Sequence, residues 1–235
     1  MSSNIISLGP LCSVRAQINR FVGQEETQLF DWVRSSFDTV LHILKNIDDE
    51  SLFSEDKFKC PEIKDGCKNF STIQANVDKE DLEEPSMKVG GIKCHTVVCE
   101  PFYFESLHDF PLNKPYMDSM DINLAKFKRR QKRLKDTIVK SDVIHFIHVM
   151  RYKILTSDKL YEFKQYLYDI CPTNKYYLHI AIPPCYKDVN KDDLSQEGVY
   201  LYDFYGDDIR DWKFDGCNWS DIFDNIKHID STNEN

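Results

Sequence analysis

The sequence predicts an α/β fold in which a layered, mostly parallel sheet is flanked by helices. In the last third of the chain, apolar segments of strand length alternate with an amphipathic segment of helix length. Another apolar segment of strand length, residues 5–8, ends at Gly9-Pro10 near the N-terminus. Strands and helices that alternate at this spacing are joined by right-handed crossovers, and such connections produce a parallel sheet.

The first fifty residues predict one strand followed by two helices. Beyond the turn at Gly9, residues 11–22 carry apolar side chains at helical spacing, and Gly23 ends that helix. An aromatic patch at residues 30–33 precedes a second helix over residues 37–47. The first organised feature of the chain is therefore a strand that turns directly into a helix.

The middle of the chain is less regular. Residues 48–90 are polar and acidic, and they predict an irregular insertion or lobe within the domain. Residues 95–100 predict a strand, and a turn follows around residues 108–111. Residues 121–139 predict a basic amphipathic helix whose apolar face contains Leu124, Phe127, Leu134 and Ile138.

The last third of the chain predicts the alternating elements of a parallel sheet. These elements are a strand over residues 143–149, a helix over residues 158–170, and strands over residues 176–182 and 199–202. We expect residues 1–229 to form a single α/β domain and residues 230–235 to form a disordered tail.

The composition excludes several classes of protein. Of the 235 residues, 41% are hydrophobic, so the chain can bury a sizeable core. The net charge of −9 disfavours a phosphate-backbone partner, and no nucleic-acid binding is expected. No segment has the roughly 20 apolar residues that span a bilayer, and no secretory signal peptide is recognised. We therefore expect a cytoplasmic protein that does not bind a membrane and whose cysteines remain thiols.

Cys12 is the strongest candidate for a catalytic nucleophile. It lies in the first turn of the predicted helix, where unpaired backbone N–H groups carry a positive potential that lowers a thiol pKa. The same groups, near Cys12 and Ser13, can stabilise an oxyanion on an attacked carbonyl. Gly9 allows a sharp turn and a close approach of the substrate. The competing interpretation is that Cys12 is a small buried packing residue, the usual role of a free cysteine.

A catalytic cysteine needs a base, and His108 is the most suitable histidine. It is predicted to lie in a loop, from which its side chain can reach a cleft. An orienting carboxylate would complete a triad, and both Asp109 and Asp31 are candidates. Asp31 lies beside Trp32, whose ring we expect to border the substrate. Sequence alone does not choose between the two carboxylates.

Two other kinds of site are disfavoured. Cys60 and Cys67, together with Cys94 and Cys99, form two pairs that resemble zinc ligands. The first pair is separated by more residues than the two to four of a usual zinc knuckle, so no metal ligand is assigned. The sequence contains no glycine-rich nucleotide-binding motif, and we expect no cofactor.

The basic run at residues 126–135 has two interpretations. Its cations recur at helical spacing between apolar residues, which first predicts a solvated helix face. The alternative is a surface that binds an anionic ligand or partner.

Several motifs resemble those of a known family. The segment Ser7-Leu-Gly-Pro-Leu-Cys12, followed by Leu29-Phe-Asp-Trp32, is similar to the opening of the family of putative papain-like cysteine peptidases, which occurs in bacteria and large DNA viruses. The resemblance continues through His108-Asp-Phe-Pro111 and the basic helix to Arg151, over most of the chain. It implies a thiol hydrolase with Cys12 as the nucleophile and His108 as the base, located in the host cytoplasm if the chain is viral.

The fold predicted here departs from that of papain. A papain-like cysteine opens a long central helix that packs on an antiparallel, barrel-like lobe. In this sequence a strand precedes Cys12 directly, and the second half of the chain predicts a parallel sheet. The pattern is closer to the nucleophile of α/β hydrolases, which sits at a strand-to-helix turn.

The sequence thus predicts a cysteine-dependent hydrolase or acyl transferase that acts on a peptide or a small acyl substrate. Cys12 attacks the carbonyl, His108 exchanges the proton, and Asp109 or Asp31 orients the imidazole. One alternative is a non-catalytic binding or glycan-associated accessory protein that uses the basic helix at residues 126–135. Another is a glycan-modifying transferase that uses the acidic residues Asp207, Asp208 and Asp211.

Overall fold

The structure of the protein, a computed structural model, contains the α/β architecture that the sequence predicts. It describes residues 2–10, 12–24, 26–61, 70–72, 93–100, 102–151, 153–205, 214 and 216–233. Within these ranges, a parallel sheet flanked by helices is accompanied by an antiparallel sheet.

The described strands and α-helices, each numbered in chain order, have the following bounds. The strands are β1 (Ser3–Ser7), β2 (Val33–Arg34), β3 (Phe58–Lys59), β4 (Phe70–Thr72), β5 (Lys93–Cys99), β6 (Phe104–Pro111), β7 (Val143–Val149), β8 (Lys175–Ile182) and β9 (Val199–Asp203). The α-helices are α1 (Cys12–Val22), α2 (Phe37–Lys45), α3 (Met120–Lys140), α4 (Ser157–Ile170), α5 (Lys191–Leu194) and α6 (Trp219–Asn233).

The parallel sheet is built from the first strand and the last three. Its order is β1-β7-β8-β9, and every neighbouring pair runs parallel. β7 is buried from Val143 to Val149, as expected of a strand that is covered on both faces. α4 connects β7 to β8, and α5 lies between β8 and β9. The predicted parallel sheet is therefore confirmed.

Helices cover both faces of this sheet. On one face, Ile147 belongs to an apolar cluster with Val14 of α1 and Phe223 of α6. On the other face, the ring centroids of Phe146 and Phe163 of α4 lie 5.2 Å apart. Each buried side chain of this size contributes about 1.5–3 kcal/mol to stability. This packing holds α1 against the sheet, so its first residue lies at the carboxyl end of β1.

The antiparallel sheet was not predicted from the sequence. Its order is β2-β6-β5-β3, and β4 also pairs with β5. The predicted loop at His108 is wrong, because β6 extends from Phe104 to Pro111. β5 pairs with the next strand, β6, as far as Pro111, and this cross-strand pairing overrides the local preference for a turn.

Other predictions concern segments that the structure describes only in part. Most of the predicted insertion, at residues 62–69 and 73–90, lies outside the described residues. The described part of residues 48–90 contributes β3 and β4 to the antiparallel sheet. At the other end of the chain, α6 continues through Asn233, past the predicted start of the tail at residue 230. None of the described helices combines the length and apolarity that crossing a membrane requires.

The basic helix α3 uses several of its cations inside the protein. Lys126 and Arg130 are buried, so the prediction of a solvated basic face is wrong for these two residues. Farther along the helix, Arg133 forms an ion pair with Glu26 at 3.2 Å, and its guanidinium donates to the Thr27 carbonyl. The helix therefore connects distant parts of the chain through its own charges.

A chain of buried and partly buried hydrogen bonds fastens α6 to the parallel sheet. Neighbouring atoms lie 2.6 Å apart from Asn225 to Tyr202, 2.8 Å from Tyr202 to His179, 2.9 Å from His179 to His145, and 3.1 Å from His145 to Asp230. The Asn225 amide nitrogen only donates and an ionised Asp230 only accepts, so every donor points towards Asp230. Both imidazoles are neutral in this arrangement.

Acidification is expected to destabilise the protein through these histidines. Burial lowers the pKa of His179 from 6.5 to about 3, so the unfolded chain takes up this proton at a higher pH than the folded protein. Stability should therefore fall as the pH drops below 6.5, by up to about 1.4 kcal/mol per pH unit for this residue. Urea unfolding between about pH 7.5 and 5, above the range in which carboxylates titrate, measures the effect.

The matched variant is His179→Gln, which keeps one donor and one acceptor in the chain but does not titrate. The free energy of unfolding of this variant should depend less steeply on pH than that of the wild type. An equal slope in the two proteins would contradict the assignment.

Candidate active site

Cys12 lies at the strand-to-helix turn that the sequence predicts. It is the first residue of α1, and β1 ends five residues earlier at Ser7. Gly9 has a φ of 77°, in the left-handed region that favours glycine, and the Gly9-Pro10 peptide bond is cis. The Gly9 N–H donates to the Ser7 hydroxyl at 3.2 Å, and the Gly9 carbonyl accepts from Val149 of β7 at 3.4 Å. Neighbouring strands thus hold the turn that presents Cys12.

His108 comes to Cys12 from the antiparallel sheet. Its Nε2 atom lies 3.2 Å from the Cys12 sulfur, within hydrogen-bonding distance for a thiol. The two residues are separated by 96 positions in the chain, so only the folded arrangement of the two sheets brings them together. A thiol beside an imidazole nitrogen is the arrangement that nucleophilic cysteine catalysis requires.

The thiol is enclosed by the protein. Only 7% of the Cys12 surface is exposed. Burial raises the pKa of Cys12 to about 12 and outweighs the hydrogen bond from its own amide, which lowers the pKa. The prediction that the helix N-terminus lowers this pKa below its ordinary value is therefore wrong. The hydrogen bond at the helix N-terminus lowers the Cys12 pKa, as expected, but removal of the thiol from water raises that pKa by more.

Burial also lowers the pKa of His108, an effect that the nearby Asp109 charge partly opposes. Both changes favour a neutral thiol beside a neutral imidazole. In that state the thiol donates to Nε2, and the remaining proton of the ring sits on Nδ1. His108 Nδ1 is buried, and no residue in the described part of the chain hydrogen bonds it.

Asp109 binds a lysine in place of His108. Lys126 of α3 donates to its Oδ1 at 2.6 Å, and the Ser106 hydroxyl donates to its Oδ2. Burial alone would raise the pKa of Asp109, but the charges of Lys126 and Arg130 lower it to about 2. Asp109 is therefore an ionised carboxylate that acts on His108 through its charge.

Asp31 is also directed to a cation. Its Oδ2 lies 3.3 Å from Arg15 Nε and accepts the Gln28 backbone N–H at 2.7 Å. Arg15 lies on α1, one turn after Cys12, so this buried ion pair joins the nucleophile helix to the segment before β2. Neither predicted carboxylate orients the imidazole by a hydrogen bond.

Three further residues were predicted to contact the substrate or its oxyanion. Gly9 forms the turn, and Ser13 is buried in the first turn of α1, where its N–H belongs to the group that precedes the intrahelical hydrogen bonds. Trp32 has a φ of 63°, and its ring meets that of His108 edge-on, with centroids 6.4 Å apart. The structure thus places Trp32 at the Cys12–His108 pair.

Sequence reasoning missed Arg34. This residue lies on β2, and its charge lowers the pKa of Cys12. Its side chain donates from Nη1 to Glu105 of β6 at 2.7 Å. No local signal in the sequence identifies it, because its position depends on the pairing of β2 with β6.

The alternative sites receive no support from the described residues. No group of three or more histidine, cysteine or acidic residues in the described ranges could hold a metal ion. Cys67 and the acidic residues Asp207, Asp208 and Asp211 lie outside those ranges.

Replacing Lys126 tests whether the buried ion pair supports the site. Lys126→Met leaves Asp109 buried without its closest cation, so we expect a loss of about 3–5 kcal/mol in the free energy of unfolding. Adding Asp109→Asn removes the unpaired charge and should restore much of that loss. Urea unfolding of the two single variants and the double variant measures the coupling. Additive losses in the double variant would show that the pair does not act as a unit.

The comparison with known proteins identifies one family. A sequence profile described as putative papain-like cysteine peptidase matches residues 3–167, a range that includes Cys12, Trp32 and His108. No curated protein and no solved structure gave a significant match to the chain. Since the matched range covers more than half of the 235 residues, the chain belongs to the family of putative papain-like cysteine peptidases.

Proposed function

We propose that the protein is a cysteine-dependent hydrolase with Cys12 as its nucleophile and His108 as its general base. The observation that carries this proposal is the 3.2 Å contact between the Cys12 sulfur and His108 Nε2 at the carboxyl end of β1. Membership of a peptidase family supports the same reaction class. A peptide or a small acyl compound would be the substrate.

The reaction begins with proton transfer, because burial disfavours a thiolate in the resting protein. The Cys12 thiol gives its proton to His108 Nε2 as the sulfur forms a bond to the substrate carbonyl carbon. The carbonyl oxygen becomes an oxyanion, which the backbone N–H groups at Cys12 and Ser13 would stabilise. His108 then protonates the leaving group as the carbon–leaving-group bond breaks, and water hydrolyses the resulting thioester.

Asp109 has an electrostatic role in this mechanism. Its charge raises the pKa of His108 and so stabilises the imidazolium that forms during the attack. The carboxylate cannot take the proton readily, because Lys126 and Arg130 keep its pKa at about 2. The site is therefore a dyad with a charged neighbour, in place of a hydrogen-bonded triad.

The non-catalytic alternative depends on the basic helix at residues 126–135. Lys126, Arg130 and Arg133 already interact with acidic groups of the chain itself. These contacts leave fewer cations of the helix available to an anionic partner, so we give the hydrolase precedence.

The chemistry is tested with p-nitrophenyl acetate, an activated ester that needs no specific recognition. We expect a burst of p-nitrophenol and an acetyl group on Cys12 by mass spectrometry. Cys12→Ala should abolish both signals, and His108→Gln should slow acylation by roughly 10²–10⁴-fold.

Cys99→Ala is the matched control. Cys99 is buried and its pKa is raised to about 12, as for Cys12, but its sulfur donates to the Glu100 carbonyl at 3.9 Å. This variant should keep the full burst. A wild-type protein without a burst, or a burst that survives in Cys12→Ala, would rule out the proposed reaction.

The pH dependence of acylation distinguishes a neutral dyad from a preformed ion pair. Because burial lowers the pKa of His108 from 6.5, kcat/KM should rise with pH along a limb centred below 6.5. It should then stay level into the alkaline range, since the thiol pKa is about 12. Stopped-flow measurement of p-nitrophenol release gives the profile. A bell-shaped profile, whose alkaline limb reports loss of the imidazolium proton, would indicate a thiolate–imidazolium pair instead.

A further inference from the structure

Arg34 lies on β2, and its charge acts on the enclosed Cys12 thiol. Its β2 strand pairs with β6, and the register places Arg34 opposite Glu105, three residues before His108. The Arg34 side chain is 41% exposed, whereas only 7% of the surface of Cys12 is exposed. A cation that solvent can reach thus lies beside a nucleophile that is nearly buried.

The ion pairs around Cys12 and His108 differ in how easily a ligand could replace the paired carboxylate. Arg15–Asp31 and Lys126–Asp109 are both largely removed from water. Breaking either pair would leave an uncompensated buried charge, so these cations are not available to a ligand.

The Arg34–Glu105 pair is open to solvent on both sides. The Glu105 side chain is 23% exposed, so its carboxylate can return to water when the pair opens. Ion pairs in such positions add little stability, because water solvates the separated charges well. An incoming carboxylate could therefore replace Glu105 without a large loss of stability.

The guanidinium of Arg34 also has unused donor capacity. Its Nη1 donates to Glu105 at 2.7 Å, whereas its Nε is buried and has no hydrogen-bond partner in the described part of the chain. A guanidinium has five N–H donors arranged as a fork, and that fork matches a carboxylate. The single contact with Glu105 therefore leaves most of these N–H donors without a hydrogen-bond partner in the described part of the chain.

We propose that Arg34 is a specificity-determining residue that binds a carboxylate on the acyl part of the substrate, with Glu105 occupying its place in the resting protein. The inference rests on the proposed hydrolase function and assigns the site an anionic class of acyl substrate. The effect of the Arg34 charge on the Cys12 pKa supports it, since that charge acts at the reacting sulfur. The charges of Asp31 and Asp109 act on Cys12 in the opposite sense and more strongly than that of Arg34, but each of these carboxylates is itself paired with a buried cation.

The experiment compares two esters that differ by one carboxymethyl group, the p-nitrophenyl monoester of succinic acid and p-nitrophenyl acetate. The measured quantity is the ratio of their kcat/KM values for acylation, which cancels any general loss of activity in a variant. In the wild type the succinate ester should be preferred by roughly 10- to 100-fold, the effect of one hydrogen-bonded charge. Arg34→Gln should reduce the ratio to about 1.

Three further variants complete the design. Glu105→Gln removes the internal competitor and should raise the ratio above that of the wild type. Arg34→Lys keeps the charge without the fork, so it should give an intermediate ratio. Arg20→Gln makes the same charge change at an exposed position near the end of α1 and should leave the ratio at its wild-type value.

The outcomes separate the two proposals. No acylation of the wild type by either ester would overturn the hydrolase function and, with it, the role of Arg34. Acylation without a preference for succinate, or an equal ratio in the wild type and Arg34→Gln, would overturn the inference and leave the hydrolase standing. If Arg34→Gln does not fold, unchanged ratios in Arg34→Lys and Glu105→Gln would overturn it in the same way.

Discussion

The ion pair between Asp109 and Lys126 is the interaction on which the candidate site depends. Asp109 belongs to the antiparallel sheet, next to His108, and Lys126 belongs to α3. The apolar residues of α3, among them Leu134 and Ile138, share a core with the parallel sheet that carries Cys12. The pair therefore links the element that holds the base to the layer that holds the nucleophile. Because both charges are largely buried, each requires the other, and the spacing between the two sheets has little freedom to change.

Burial of the Cys12 thiol favours its contact with His108 but disfavours its ionisation. It brings Cys12 and His108 into contact and excludes water, which strengthens every charge interaction that develops during an attack. The same enclosure makes ionisation of the resting thiol unfavourable. A buried thiol of this kind would attack only if it gave its proton to His108 as the sulfur formed its new bond. Such an arrangement also limits oxidation of the cysteine, since oxidants react with the thiolate.

The sequence predicted the elements whose signals are local. The apolar run before Gly9 and the helical spacing after Cys12 gave the strand-to-helix turn, and the buried runs from Val143 onwards gave the parallel sheet. The antiparallel sheet escaped prediction because its pairs, such as Val33 with Ser106, are distant in the chain. Turn residues near His108 suggested a loop, and cross-strand pairing overrode them. Lys126 and Arg130 were expected in solvent, since a helical charge pattern contains no information about a carboxylate that folding places beneath it. Arg34 gave no signal by itself, because its importance depends on its distance from Cys12.

The strand order β1-β7-β8-β9 places β1 and β7 on one side of the sheet and β8 and β9 on the other. The family match ends at residue 167, so β1 and β7 lie inside the matched region, whereas β8 and β9 lie beyond it. Each later strand is added to the side of the sheet away from the nucleophile. Changes in the length or surface of β9 therefore lie far from the turn that presents Cys12. The sheet nevertheless needs a strand beyond β7. β7 is buried along its whole length, and β1 and β7 alone would not form a stable sheet. A chain that lacked β8 would therefore need another strand beside β7.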